Sequence, residues 1–499
     1  MIQFLLNDTP IEVEKCSPSL TILDWLRTNK GKVGSKEGCA TGDCGACTVL
    51  VGEEIVNPQG VHSWHYKTMN SCLLLLGNAH AKHIVTVEGV TPSLYPTLNE
   101  LHPVQRALVE CHGSQCGFCT PGIIMSLLAL YINNPTYPGK SAVIHALGGN
   151  LCRCTGYSPI LLAAEQAYSY PRSSENYSAL ATQFKASISC EQNQVPFLTN
   201  EQRTFYLPQT AAQLVALKSS HLNAHLVTGG TDFAIELSQN LLLPDTIISL
   251  SQTHELMQLK DNEGELNIGA SLPYSQFVSQ FCHYYPEAKE LFERLGSTQV
   301  RNGGSLGGSL GNASPIGDPA PLLIALNATM DLLSARGTRT INVADFFLDY
   351  RKTVLKEDEV ISNITIPKRS KSLKLACHKI SKRFEDDIST VCLVLAIEHN
   401  DNTITHARCA MGGMAATPKN APHIEQQLVG LPLSVASFKE AAKHVNSDFS
   451  PMSDVRASAE YRINVTKNLL HRVGIEFCHS ELKNPDNLIA ITRISHASL

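Results

Sequence analysis

Eight cysteines between residues 39 and 154 constrain this chain more than any other feature. They fall in two groups: Cys39, Cys44 and Cys47 followed by Cys72, then Cys116 and Cys119 followed by Cys152 and Cys154. The first group has the C-x4-C-x2-C spacing, with a distant fourth cysteine, that wraps a plant-type 2Fe-2S cluster. Gly38, Gly42 and Gly45 let a short loop curl around a bulky anion and expose backbone amides to its sulfurs. A structural zinc site on four thiolates is the competing reading.

The second group repeats one design. Thr120-Pro121 opens an apolar run over 122–132, and Ser158-Pro159 opens another over 160–168. In each, a capping residue precedes a proline read as the first helical position, so two helix starts follow two cysteine pairs. Their unpaired amides and positive dipole ends would favour the negative charge of a bound cluster. Here too a tetrahedral zinc knot on Cys116, Cys119, Cys152 and Cys154 has the right ligand count.

Sixteen cysteines suggest a disulfide framework only in a short secreted protein, whereas ten of these sixteen precede residue 155 in a chain of 499. That clustering reads as metal ligation in a reducing compartment. Cys190, Cys282, Cys377, Cys392, Cys409 and Cys478 are scattered singly and read as small buried hydrophobes. Forty basic against forty-five acidic residues give a net charge of -5, which points to neither nucleic acid nor an anionic membrane. No apolar run approaches the roughly eighteen residues that cross a bilayer, and residues 1–10 lack a signal-peptide core. A cytoplasmic location is expected.

The length suits about three or four domains. Residues 2–6 and 11–15 read as strands joined by a turn, 19–27 as a helix, and 48–51 as a strand, within a mixed domain over 1–88. From 89 to 170 the pattern turns helical, with candidates over 102–111, 122–132, 141–147 and 160–168, suited to a four-helix bundle. Residues 171–198 are polar with little periodicity and read as a linker. A third domain over 199–370 contains two glycine segments, 226–236 and 299–318, whose backbone amides can approach a pyrophosphate closely. Neither has the G-x-G-x-x-G spacing of a Rossmann site, so ordinary tight turns compete with nucleotide binding. A fourth domain over 371–490 begins with strands at 391–397 and 403–410, and the charge run 382–388 by itself reads as a solvated turn.

Three segments carry a close resemblance: Glu37-Gly-Cys-Ala-Thr-Gly-Asp-Cys-Gly-Ala-Cys-Thr48, Gly113-Ser-Gln-Cys-Gly-Phe-Cys-Thr-Pro-Gly122 and Gly149-Asn-Leu-Cys-Arg-Cys-Thr-Gly-Tyr157. They resemble the two iron–sulfur motifs of the xanthine dehydrogenase and aldehyde oxidase family. The resemblance implies an α+β multidomain chain with a β-grasp 2Fe-2S ferredoxin domain, a four-helix 2Fe-2S bundle, a vanillyl-alcohol-oxidase-type FAD domain and an α+β C-terminal flavoprotein domain. It also implies that Gln115 touches a molybdenum pterin. In the flavin loops, Leu226, Val227, Thr228, Gly229, Gly230, Thr231 and Asp232 would line the pyrophosphate and adenosine side of FAD, with Ser305, Ser309 and Asn312 in the second loop and Asp318 on the ribityl or adenosine hydroxyls. Ser309 departs from the asparagine usual in that family.

The implied function is electron transfer: a molybdopterin-binding large subunit oxidises a purine, and electrons pass through two 2Fe-2S clusters to FAD and then NAD. The expected assembly is a pair of heterodimers. Fewer than a hundred residues follow the core of the fourth region, so the molybdopterin domain is expected on a separate chain. Aldehydes or other N-heterocycles are the alternative substrates.

Overall fold

The computed structural model describes residues 1–478 apart from 57–59, 92, 94, 174, 189–193, 201, 240 and 241. Cys190 lies outside the described residues. The chain forms two compact units, the first comprising residues 1–257 with 273–275 and 296–305, the second 258–272, 276–295 and the residues from 306 onward.

The first unit opens with β1 (Ile2–Leu6) and β2 (Thr9–Val13), antiparallel in the register Leu6 to Thr9. The turn is only Asn7-Asp8, with Asn7 at φ 56°, so the second strand starts earlier than its sequence suggests. Pro10 falls inside it, and the sheet order explains why this is tolerated: β2 is an edge strand, where a missing N–H breaks no ladder bond. Helix α1 (Ile22–Asn29) follows, capped by Thr21, whose hydroxyl accepts from the Asp24 amide. Strands β3 (Thr48–Val56), β4 (His62–Asn70) and β5 (His83–Val85) complete a sheet ordered β2-β1-β5-β3-β4, with β1 and β5 parallel.

Four helices come next: α2 (Pro103–Glu110), α3 (Thr120–Asn133), α4 (Lys140–Leu147) and α5 (Ser158–Gln166). Helix α3 is apolar on nearly every side, and such a helix can only be central. Ile123, Leu127, Leu128 and Tyr131 accordingly pack with Val104 and Leu108 of α2 and Ile160 of α5. The linker reading over 171–198 needs correction, because α6 (Tyr177–Ser187) lies within it. It buries Tyr177, Ala181 and Phe184, a spacing of four and three masked by polar neighbours, and sets the Tyr177 ring 5.8 Å from Tyr66. A small sheet of β6 (Phe197–Thr199), β7 (Thr204–Tyr206), β8 (His225–Val227) and β9 (Thr246–Ser249) runs in the order β6-β7-β9-β8, with α7 (Ala211–Ser220) and α8 (Phe233–Ser238) beside its strands in sequence. Phe205, Val227 and Phe233 share one core with Phe4, Trp25 and Leu76, so the first sheet and this one are packed as one body.

Burial holds the imidazoles of His80 and His83 down at about 4. The His80 ring accepts from the Gln3 amide, and His83 sits between Tyr66 and the Asn7 carbonyl. Since an unfolded histidine titrates near 6.5, the unfolded chain takes these protons first. Stability present above pH 6.5 is therefore lost as pH falls through 4, on the order of 3 kcal/mol for each group. Urea midpoints measured between pH 7 and 4 are expected to fall monotonically.

The second unit holds a five-stranded antiparallel sheet in the order Leu259–Asn262, Glu265–Gly269, Val360–Pro367, Thr329–Ser334 and Gly337–Asn342. A four-stranded antiparallel sheet is built from Leu373–Ile380, Val391–Asn400, Thr403–Gly412 and Lys419–Asn420. Helix Ala459–Cys478 packs on its core through Leu469, Leu470 and Val473. Cys392 and Cys409 are fully buried there, and burial pushes both thiols well up, as befits inert small hydrophobes.

Candidate iron–sulfur and flavin sites

Strand pairing builds the first cysteine site. The register Thr48 to Asn70 places the residue before β3 beside the residues after β4, and the Cys47 and Cys72 sulfurs meet at 3.3 Å. Asn70 braces the loop by donating to the Gly42 carbonyl, and the Ser71 hydroxyl donates to the Cys47 carbonyl. Around the loop, Cys39 Sγ accepts from the Thr41 and Cys44 amides at 3.4 and 3.3 Å. A Cβ at Gly38 would stand 2.7 Å from Cys44 Sγ, so that glycine is needed for space beside the sulfur.

The second site lies between the end of α2 and the starts of α3 and α5. Cys116 and Cys154 meet at 3.7 Å, and the free thiols of Cys119 and Cys152 are hydrogen-bonded neighbours. Cys152 Sγ has the Thr155 hydroxyl at 3.1 Å, and the Cys152 amide donates to the Tyr157 hydroxyl at 2.8 Å. The expected side-chain caps are absent from these helices. Cys119 itself is the N-cap of α3 and Tyr157, at φ 69°, that of α5, with Thr120 and Ser158 already helical and each proline one position later than expected. The Thr120 hydroxyl pairs with Ser114 instead. A candidate sulfur ligand thus occupies the capping position of α3, closer to the helix start than spacing suggested.

Electrostatics divide each site into pairs. The Cys44 thiol, with the Thr41 hydroxyl and amide behind it, holds Cys39 down at about 4, while Cys44 is pushed far up by Cys39. Cys72 lowers Cys47 and is itself raised. Burial raises Cys119 to about 12; burial also opposes ionisation of Cys152, yet the Thr155 hydroxyl and amide and the Cys119 thiol hold it low. Four cysteines arranged as two close pairs suit two irons that each take two thiolates, whereas a mononuclear zinc site needs four sulfurs around one point. Among the described residues no three His, Cys, Asp or Glu side chains converge on one metal-sized point. The donor sets therefore fit 2Fe-2S clusters.

The two sites touch. The Leu151 amide donates to the Cys44 carbonyl at 3.0 Å, one residue before Cys152. A Cβ at Gly45 would fall under 3.0 Å from the Gly149 carbonyl, and one at Gly122 under 3.0 Å from the Gly45 carbonyl. The sites differ in access: Cys47 and Cys72 are buried, whereas Cys116, Cys154 and the neighbouring Gln115 are exposed.

In the first unit, Leu226 and Val227 end β8, and the turn through Thr228, Gly229, Gly230 and Thr231 leads to Asp232, exposed at the start of α8. Any side chain at Gly229 would run into the Gly303 backbone. A Cβ at Gly230 would meet the Leu73 carbonyl at 2.7 Å, so this turn packs on the residue next to Cys72. Asn78, 1% exposed, donates to the Thr228 carbonyl at 2.9 Å. Ser305 is buried, bridged to Pro273. In the second unit, Ser309 and Asn312 lie half-buried on the helix Leu306–Asn312, with the Arg351 guanidinium 3.3 Å from Asn312 Oδ1. Asp318 is buried with Oδ2 on Lys379 Nζ at 2.8 Å and Oδ1 accepting from the Ser389 hydroxyl. Arg294 anchors the 382–388 turn, donating to the Phe384 and Lys379 carbonyls and stacking on the Phe384 ring at 4.7 Å.

Sequence reasoning missed Lys379, Ser389, Arg294 and Asn78. Only Lys379 left a signal: it continues the strand alternation of Leu375 and Cys377, an inward position that a cation occupies only with a counter-ion.

Paired thiols in two sites and a glycine turn packed beside one of them define an iron–sulfur and flavin electron-transfer protein. Comparisons with known proteins agree. Residues 4–75 match the 2Fe-2S iron-sulfur cluster binding domain, 86–165 the [2Fe-2S] binding domain, 200–369 the FAD binding domain in molybdopterin dehydrogenase and 376–477 the CO dehydrogenase flavoprotein C-terminal domain. The chain is 33% identical to a xanthine dehydrogenase of Emericella nidulans, over 86% of this chain and 35% of that protein. It is 29% identical to a xanthine dehydrogenase/oxidase of Gallus gallus, over 99% of this chain and 42% of that one. The chain thus spans under half the length of these relatives. A carbon monoxide dehydrogenase structure from Hydrogenophaga pseudoflava superposes with a TM-score of 0.52 at 25% identity, covering 54% of this chain and 94% of that one. The chain belongs to the xanthine dehydrogenase, or molybdenum hydroxylase, family and is its iron–sulfur and FAD part.

Proposed function

We propose that this chain is the electron-transfer subunit of a xanthine dehydrogenase, delivering to NAD the electrons released when a molybdopterin-binding partner oxidises hypoxanthine and xanthine. Cys39, Cys44, Cys47 and Cys72 hold one 2Fe-2S cluster, and Cys116, Cys119, Cys152 and Cys154 the other. In the first unit, Leu226, Val227, Thr228, Gly229, Gly230, Thr231, Asp232 and Ser305 bind FAD. In the second, Ser309, Asn312 and Asp318 carry the flavin-binding role that the resemblance implies. When bound, these groups supply one-electron carriers and, in the flavin, a centre that also exchanges a hydride equivalent.

The observation that carries this reading is the unequal access of the two cysteine sites. Cys116 and Cys154 are exposed beside Gln115, as contact with a partner's pterin requires. Cys47 and Cys72 are buried, and Leu73 backs onto the glycine turn. Burial there excludes water from the side that must hand electrons onward. The Arg294-anchored turn at 382–388 keeps Phe384 and Ile388 at the surface, where NAD can approach. A cytoplasmic setting fits fifteen free cysteines among the described residues, and among those residues no helix is long and apolar enough to cross a membrane. The assembly proposed is two heterodimers.

A related aldehyde or N-heterocycle dehydrogenase is the second reading, since the matched FAD domain is described for molybdopterin dehydrogenases without regard to substrate. The chain purified anaerobically is expected to carry iron and flavin and to oxidise NADH with an artificial acceptor while leaving xanthine untouched. Xanthine turnover by this polypeptide alone, or protein containing neither iron nor flavin, would refute the assignment. Turnover of xanthine against aldehydes by the complex with its partner separates the two substrates.

A further inference from the structure

Gln299 is 2% exposed, and its amide nitrogen reaches Asn150 Oδ1 at 2.9 Å and the hydroxyls of Ser126 and Thr48 at 3.3 Å each. The Ser126 hydroxyl also donates to Asn150 Oδ1 at 2.6 Å. Asn150 Nδ2 in turn donates to the Gly45 carbonyl at 3.1 Å and to Thr48 Oγ1 at 3.3 Å. Gly45 oxygen also accepts from the Thr48 hydroxyl at 2.6 Å and the Thr48 amide at 3.1 Å. Three donors therefore converge on one carbonyl. The N–H of the same peptide unit belongs to Ala46 and faces the Cys44 thiol as a backbone donor.

Gln299 Oε1 is buried without a partner. Leaving an acceptor so costs about 1–3 kcal/mol, which an apolar side chain of the same size avoids. The position therefore works through its donors and not through its bulk.

We propose that this buried hub of Gln299, Ser126, Asn150 and Thr48 sets the reduction potential of the cluster on Cys39, Cys44, Cys47 and Cys72, acting through the Gly45–Ala46 peptide. The inference rests on the iron–sulfur reading above. Hydrogen bonds to a carbonyl polarise its peptide and strengthen the N–H on the far side, by about 10–30% per bond. Reduction adds negative charge to the cluster and its sulfurs, so a stronger donor at Cys44 favours the reduced form and raises the potential. Removing donors from the Gly45 carbonyl lowers it.

The test is an anaerobic redox titration of the full chain, following the electron paramagnetic resonance signal of each cluster, with iron and flavin content measured alongside. Thr48→Val, which keeps shape and loses the hydroxyl donor, is expected to move the first cluster to lower potential by more than the second. Gln299→Leu, one bond further away, moves it in the same direction by less, and Thr48→Ser restores the original value. An unshifted or raised potential in Thr48→Val with full iron content overturns the proposal. So does loss of the first cluster's iron from both Thr48→Val and Gln299→Leu, which would make the hub a scaffold only. Absence of both signals from the unaltered chain would instead sink the iron–sulfur reading itself.

Discussion

Gly45→Ala is expected to strip iron from both cysteine sites in one substitution, although Gly45 belongs to the first loop alone. Gly45 sits at φ 65°, where an alanine is strained by about 1–3 kcal/mol. Its Cβ would overlap the Gly149 carbonyl and stand 2.6 Å from Asn150 Nδ2 and 3.0 Å from Asn150 Cα. Those neighbours are mostly backbone and cannot swing aside, and overpacking of this kind costs about another 1–3 kcal/mol. The overlap is relieved only by parting the 38–47 loop from the 149–152 loop, which breaks the Leu151 to Cys44 hydrogen bond and displaces sulfurs on both sides. Against a marginal total stability, that is a large perturbation. Iron analysis with spectra of each cluster checks it, with Cys47→Ser as the comparator that empties the first site alone. Two intact clusters in folded Gly45→Ala protein would show that the loops yield independently.

Lys379→Met is expected to destabilise the second unit by about 3–5 kcal/mol, because it leaves the Asp318 carboxylate buried with no counter-ion. Both side chains are almost fully enclosed, at 3% and 4% exposure, and among the described residues the Ser389 hydroxyl would remain as a donor to the acid. For a body of this size that corresponds to a fall of roughly 10 °C in the thermal midpoint. The double change of Lys379→Met with Asp318→Asn removes the stranded charge and is expected to recover most of the loss. Calorimetry on the two variants decides it; equal destabilisation would mean that the lysine acts by packing its stem.

Much of the candidate site was legible because its signals are local. The eight cysteines, the glycine turn at 229–230 and the four helices of the bundle stand where spacing and periodicity put them. Local readings failed where a neighbouring element overrode them. Pro10 reads locally as part of the turn between two strands, yet an edge strand has an unpaired side to spare for it. Thr120 and Ser158 looked like caps, but the chain enters those helices from Cys119 and from a left-handed Tyr157. Helix α6 was hidden in a polar stretch because only three of its side chains are buried.

The candidate ligands were legible in the amino-acid sequence alone, since binding a cluster is a property of particular side chains at short chain spacing. So were family membership and the sequence of cofactor-binding segments along the chain. The folded structure decided how those ligands are paired, which site is exposed, and what surrounds them. Gln299 meets Asn150 across 149 residues, and Lys379 meets Asp318 across 61. Such bonds follow from strand register and helix packing rather than from any local pattern, because a buried donor's partner is set by where the chain returns in space.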